Sequence, residues 1–265
     1  MKTQYIVDTH VHLRDGVRVE QLLDVAAANF KTQLESQNKS AAQACCVLFM
    51  TESSGEQCFN QCQCGNVFGG WRFEHVLGEH FVLMTHEQKE NIGLVRGQQI
   101  VCKENIEVLW VGGCDETLQG KGAIEVLDKL ADLGGLVILP WGLGKWTGRR
   151  KRVVEEILSS FSHDKLLIGD TPLRGSLFSQ QRFMQRLTDA GYMLLPGTDP
   201  LPIHGGQQRV GLNGIVIDGL QQIDWFAAIC DALRSGQPIK TMRQTLGFSE
   251  IISMQMKTML AKFLR

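Results

Sequence analysis

Two histidines stand two residues apart at the end of an apolar run, in Tyr5-Ile6-Val7-Asp8-Thr9-His10-Val11-His12. Residues i and i+2 of a strand point to the same side. If the strand continues to His12, both imidazoles face one way, and neutral imidazole is the commonest metal ligand near neutral pH. The pair is therefore half of a metal site, or else two surface histidines at a strand end. A carboxylate in a similar position is Asp199, in Pro196-Gly197-Thr198-Asp199-Pro200; the histidine pair favours a functional Asp199 over a plain Asp-Pro turn. Arg14, Lys145 and Arg174 are the cations placed to meet an anion, since a guanidinium fork matches a carboxylate or phosphate. Lys145 lies in Trp141-Gly142-Leu143-Gly144-Lys145-Trp146, a glycine turn that either approaches an anion or is only a tight turn before a basic helix start, Arg149 to Arg152.

These residues need elements to hold them. Val19 to Lys31 has helical periodicity, and Ala44 to Met50 is a continuous apolar run of the kind found in buried parallel strands. From Ala123 onward strand and helix signals alternate. Leu136–Pro140, Leu166–Ile168, Tyr192–Leu195 and Gly214–Ile217 read as strands; the segments beginning at Ala123, Val153, Gln180, Ile223 and Glu250 read as helices. The spacing predicts an α/β fold, a TIM-like (βα) barrel, distorted by an antiparallel β insertion around residues 71–113. No linker or internal repeat divides residues 1–265, so one domain is expected. A βα barrel places its chemistry at the C-terminal strand ends. His10, His12, Lys145, Asp170, Arg174 and Asp199 all fall at such ends.

Asp8-Thr9-His10-Val11-His12 resembles the first-strand motif of the amidohydrolase superfamily of metal-dependent hydrolases, and the related motif of PHP-type phosphoesterases. His10 to Asp15 is similar to the dihydroorotase-like members, which implies that Arg14 holds a substrate carboxylate. Gly197-Thr198-Asp199-Pro200 looks like the last-strand motif of amidohydrolases. That resemblance implies that Asp199 binds metal and accepts a proton from the attacking water, a general-base role. Histidines from the middle strands, which full amidohydrolases add, are absent here, and Gln98 and Gln99 stand where PHP hairpins usually offer a glutamate. The implied ligands are His10, His12 and Asp199, with Asp170 or His86 as a further one, for one or two divalent ions, zinc or manganese.

The function so implied is water attack on a small anionic amide, lactone or ester. The alternatives are a PHP-type phosphoesterase and a catalytically inactive barrel that binds a ligand or partner. Cys58, Cys62 and Cys64 with His75 or His80 form a second grouping, read as structural zinc or as reduced loop thiols. A formal net charge of −1 over 265 residues argues against nucleic acid as a partner, and no apolar run is long enough to span a bilayer. Eight cysteines without an export signal suit a reducing cytoplasm. The Met-rich last helix offers a core face or a homo-oligomer contact.

Overall fold

A computed structural model describes residues 3–13, 17–36, 44–56, 58–63, 69–75, 79–142, 144–174, 178–201, 203, 205–220, 225–244 and 246–263. The chain runs β1 (Thr3–Val11), α1 (Val19–Ser36), β2 (Ala44–Glu52), α2 (Cys58–Gln63), β3 (Arg72–His75), β4 (Phe81–Thr85), β5 (Ile92–Val101) and β6 (Glu107–Val111). It continues with α3 (Ala123–Leu133), β7 (Leu136–Pro140), α4 (Arg149–Ser160), β8 (Leu167–Asp170), α5 (Phe178–Asp189) and β9 (Leu194–Pro196). The last elements are β10 (Gly214–Leu220), α6 (Trp225–Arg234), β11 (Lys240–Met242) and α7 (Phe248–Phe263).

Nine strands form one mixed, nearly closed, barrel-like sheet in the order β11-β10-β1-β2-β5-β6-β7-β8-β9, with β4 and β3 branching from β5. The α/β barrel expectation is met at this level. The sheet departs from a TIM barrel in its directions. β1, β2 and β5 are mutually parallel, as are β7, β8 and β9, but β6 runs antiparallel to β5 and β7, and β10 antiparallel to β1 and β11. A hairpin therefore joins β5 to β6, while helices α3 and α6 still lie on the connections that leave β6 and β10. The antiparallel insertion expected at 71–113 corresponds to β3 to β6, and two of those strands are part of the barrel wall. Because β1, β2, β5, β7, β8, β9 and β11 share one direction, their C-terminal ends lie at one end of the barrel.

Alternation of side chains sorts the core. Tyr5 and Val7 of β1 join Val47, Phe49, Val95, Leu109, Ile138, Leu167, Leu195 and Ile215 in the interior cluster. Ile6 and Val11 pack outside with Leu22, Leu23, Ala26 and Phe30 of α1. A second outer layer sets α3 and α4 against the outward faces of β6 to β8. Helix α6 contributes Ile229, Cys230, Ala232 and Leu233 to the interior cluster. It follows the C-terminal end of β10, which is antiparallel to β1, so it closes the end of the barrel opposite the parallel strand ends.

Val11 shares the outer cluster with Ile6, although one is odd and the other even. The register of β1 against β2 shifts between Asp8 and Val11. That irregularity reverses the alternation. It turns His10 and His12 away from α1, to the side that Tyr5 and Val7 occupy lower in the strand.

Candidate metal centre

The barrel closes where β9 meets the upper end of β1. The Thr9 hydroxyl donates to Pro196 O at 2.9 Å, and Asp199 N–H donates to His10 O at 2.8 Å. Gly197 makes the approach possible: a Cβ there would sit 2.5 Å from His10 Cβ and 2.7 Å from His10 N. Asp8 fastens the seam. Its Oδ1 accepts from Thr198 N at 2.9 Å and His10 N at 3.4 Å; its Oδ2 accepts from Thr198 Oγ1 at 2.5 Å and Gly211 N at 2.8 Å. The carboxyl is fully buried. Burial raises its pKa more than the hydrogen bonds lower it, and it is pushed up to about 6.

Directly beyond this clamp, Asp199 adopts φ +43°, a left-handed conformation uncommon outside glycine, though Asp tolerates it better than most. The kink carries its carboxylate back over the histidine pair. His10 Nε2 and His12 Nε2 lie 3.0 Å apart, and Asp199 Oδ1 is 3.7 Å from the first and 4.0 Å from the second. Each of the three offers a ligand atom within 4.8 Å of the others. Two nitrogens bound to one zinc at about 2.0–2.1 Å lie roughly 3–3.5 Å apart, so the pair has the spacing of two ligands of one ion. Both histidines are buried, with His12 at 0% exposure, and two buried imidazoles facing nitrogen to nitrogen beside a carboxylate fit a shared divalent cation.

Glu56, in the turn after β2, was not singled out by sequence reasoning. Its Oε2 lies 3.6 Å from His12 Nδ1, which has no hydrogen-bond partner. A carboxylate behind the non-ligating nitrogen is the usual way a metal-binding imidazole is oriented. The same Oε2 accepts from Ser53 N at 2.7 Å, which fixes the turn. On the other side Gln207 donates to His12 O at 3.0 Å. The sequence signal was an acid a few residues past a strand end, hidden in a Ser-Gly segment.

The other expected site residues lie elsewhere. Asp170 ends β8 at the same barrel end, but its carboxylate is taken by Arg174, through Nε and Nη2 at 2.7 Å each, and by Arg243 Nη1. Arg174 in turn is held above its ordinary pKa by that hydrogen-bonded fork. Neither residue joins the histidine pair. Lys145 is ion-paired with Glu107 at the start of β6. His86 follows β4, which is antiparallel to β5, so it lies towards the opposite end of the barrel; its Nδ1 accepts from Gln88 N at 3.0 Å and its ring packs on Trp71. Arg14 and Cys64 fall outside the described residues, as do the side chains of Cys58 and His75. Cys62 is buried in the outer core cluster that also holds Phe59 and Trp71.

No family model and no curated protein sequence matches this chain. Solved structures do. PsfC from Pseudomonas syringae PB-5123 superposes with a TM-score of 0.53 at 13% identity, covering 100% of this chain and 99% of PsfC. The lesion-specific endonuclease PfuEndoQ from Pyrococcus furiosus gives 0.52 at 9% identity, covering 96% of this chain and 66% of that one. Endonuclease Q in complex with a 27-mer duplex bearing an abasic lesion at the active site gives 0.50 at 11% identity, covering 91% and 58%. The chain spans two thirds or less of the endonuclease Q chains, and at these identities the likeness concerns the fold.

Two expectations are corrected here. An amidohydrolase-like hydrolase for a small anionic amide, lactone or ester was expected, with no nucleic acid as partner. The fold is instead shared with a DNA-lesion endonuclease whose structure holds duplex DNA at its active site. The inference from net charge failed because a sum says nothing about distribution. Arg149, Arg150, Lys151 and Arg152 open α4 after the C-terminal end of β7, the end that carries the histidine pair.

Proposed function

We propose that this chain is a metal-dependent hydrolase of phosphodiester bonds in nucleic acid, with His10, His12 and Asp199 as the metal ligands. The observation that carries the reading is the convergence of those three side chains, from strand ends 187 to 189 residues apart in sequence, on one point at the barrel mouth. The fold shared with endonuclease Q supports the substrate class. Zinc or manganese suits two imidazoles and a carboxylate.

A divalent ion held there would polarise a phosphoryl oxygen and lower the pKa of water beside it. The chain's own residues do the rest. His10 and His12 present Nε2, and Glu56 holds His12 from behind. Asp199 has a second carboxylate oxygen, and a carboxylate at that position accepts the proton of the attacking water. Asp8 keeps Thr198, and so Asp199, in register with His10. Arg150, in the first turn of α4, brings positive charge to the rim.

The test is strand cleavage. Purified protein loaded with manganese or zinc is incubated with end-labelled single-stranded DNA, duplex DNA with an abasic site, and RNA. Nicked product that disappears with chelator and with His10→Ala supports the reading. Stoichiometric metal without cleavage of any of these substrates would overturn the assigned substrate class, and absence of bound metal would overturn the site itself.

A further inference from the structure

A second polar cavity lies at the same end of the barrel, outside the histidine group. Its volume is about 60 Å³, and its walls include Asp170, Thr171, Arg174, Asn213, Arg243 and Gln244. Its position follows from topology. Asp170 ends β8, Asn213 precedes β10, and Arg243 follows β11, so the cavity sits in the seam between β8–β9 and β10–β11.

The balance of donors and acceptors there does not close. The Asp170 carboxylate accepts four hydrogen bonds: Thr171 N and Arg174 Nε at Oδ1, Arg174 Nη2 and Arg243 Nη1 at Oδ2. A carboxylate has about four acceptor positions, so Asp170 is saturated. Two guanidiniums against one carboxylate leave a net charge of +1. Each guanidinium also retains N–H groups beyond those bonded to Asp170. Asn213 adds a donor. Its Oδ1 accepts from Gln244 N at 2.9 Å, which fixes the amide orientation and leaves Nδ2 as its donor atom. That Nδ2 is buried and has no hydrogen-bond partner, in a residue 2% exposed. A buried donor without a partner costs about 1–3 kcal/mol.

We infer that this cavity is an oxyanion subsite that takes a phosphate group, with Arg243, Arg174 and Asn213 Nδ2 as its donors. A phosphate supplies the missing negative charge and the acceptor for Asn213 in one group, and guanidinium forks match its geometry. The subsite is joined to the metal centre through the backbone, since Asp170 O accepts from Gly197 N, two residues before Asp199. Its existence does not depend on the function proposed above. Its assignment to a backbone phosphate of a nucleic-acid strand, one that flanks the cleaved bond, does rest on that reading.

Inorganic phosphate is titrated into the purified chain, and thermal unfolding is followed against sodium chloride at matched ionic strength. Wild type should gain about 3–5 °C at tenfold excess over its Kd. Arg243→Gln, at a partly exposed position, should lose that gain. Asn213→Asp should lose it too, and should unfold at higher temperature than wild type without phosphate, because a built-in carboxylate replaces the missing anion. An equal response to phosphate and chloride, or an unchanged response in Arg243→Gln, overturns the subsite. A fluorescent single-stranded oligodeoxynucleotide then tests the source. Displacement by phosphate, with binding about tenfold weaker and a salt slope lower by about one in Arg243→Gln, supports a backbone contact. Oligonucleotide binding indifferent to Arg243→Gln, with the phosphate response still lost, overturns the backbone assignment and leaves a subsite for free phosphate. Absence of strand cleavage would bear on the proposed function alone.

Discussion

Removing the Asp8 carboxylate should cost more stability in acid than at neutral pH. Asp8 sits where two effects oppose each other. Four donors converge on it, which favours the ionised form, but it is wholly buried, which disfavours it; burial is the larger, and the pKa is pushed up to about 6. The sign follows from comparing the two states. Below about pH 4 the carboxyl is protonated folded or unfolded. Between about pH 4 and pH 6 the unfolded chain has released a proton that the folded chain keeps, so stability falls as pH rises. Above pH 6 the loss is complete, at about 3 kcal/mol.

Asp8→Ala removes this dependence along with the acceptors. It orphans Thr198 N–H and Gly211 N–H, both buried at the seam. At about 1–3 kcal/mol each, the acid-side cost is about 4 kcal/mol. At neutral pH the variant is also spared the buried charge, so its cost falls by about 3 kcal/mol, to about 1 kcal/mol. Urea unfolding of chelator-treated wild type and variant at about pH 4.5 and pH 7.5 measures both. A cost that is constant or rises with pH would show that the four donors outweigh burial, and a cost below about 1 kcal/mol at both would show that the clamp does not hold the seam.

Gly197→Ala places a methyl against His10 Cβ, so it should destabilise by about 1–3 kcal/mol and lower metal occupancy, read by urea unfolding and elemental analysis. Asp170→Ala leaves Arg174 and Arg243 without their shared carboxylate and should cost about 3–5 kcal/mol, with metal content per folded molecule unchanged; loss of metal would restore Asp170 to the ligands. Asp199→Asn should retain the fold but bind metal at least tenfold more weakly by equilibrium dialysis, and an unchanged affinity would remove Asp199 from the site.

Much of the fold was legible because its signals are local. Ala123–Leu133 and Leu136–Pro140 have the bounds that periodicity and apolar runs predict. Where the reading failed, a local signal had a non-local cause. Arg96-Gly97-Gln98 is polar and holds a glycine, the local signal of a turn, yet β5 runs unbroken through it. Gly97 is there for close approach: a Cβ would meet Trp110 O at 2.9 Å and Met50 O at 3.2 Å. β11 has three residues, too few to leave a pattern. Arg174 and Lys145 read as free cations, because pairing with Asp170 and Glu107 depends on the fold. The same holds for Glu56, which was invisible as a site residue until the turn after β2 placed it behind His12.

Asp8 shows why the two problems are one. Its position between an apolar run and two histidines drew attention to its neighbours, while its own partners, Thr198 and Gly211, lie 190 and 203 residues away. Those bonds close the barrel and also set Asp199 over His10 and His12. The seam has few strand hydrogen bonds to hold it, since β9 has three residues and meets β1 mainly through Thr9, Asp199 and the Asp8 clamp. A cation bound by His10, His12 and Asp199 would tie the two sides of that seam with a further link. Metal affinity and closure therefore share one free energy: whatever loosens the seam must weaken the metal, and bound metal must stabilise the fold by the same amount.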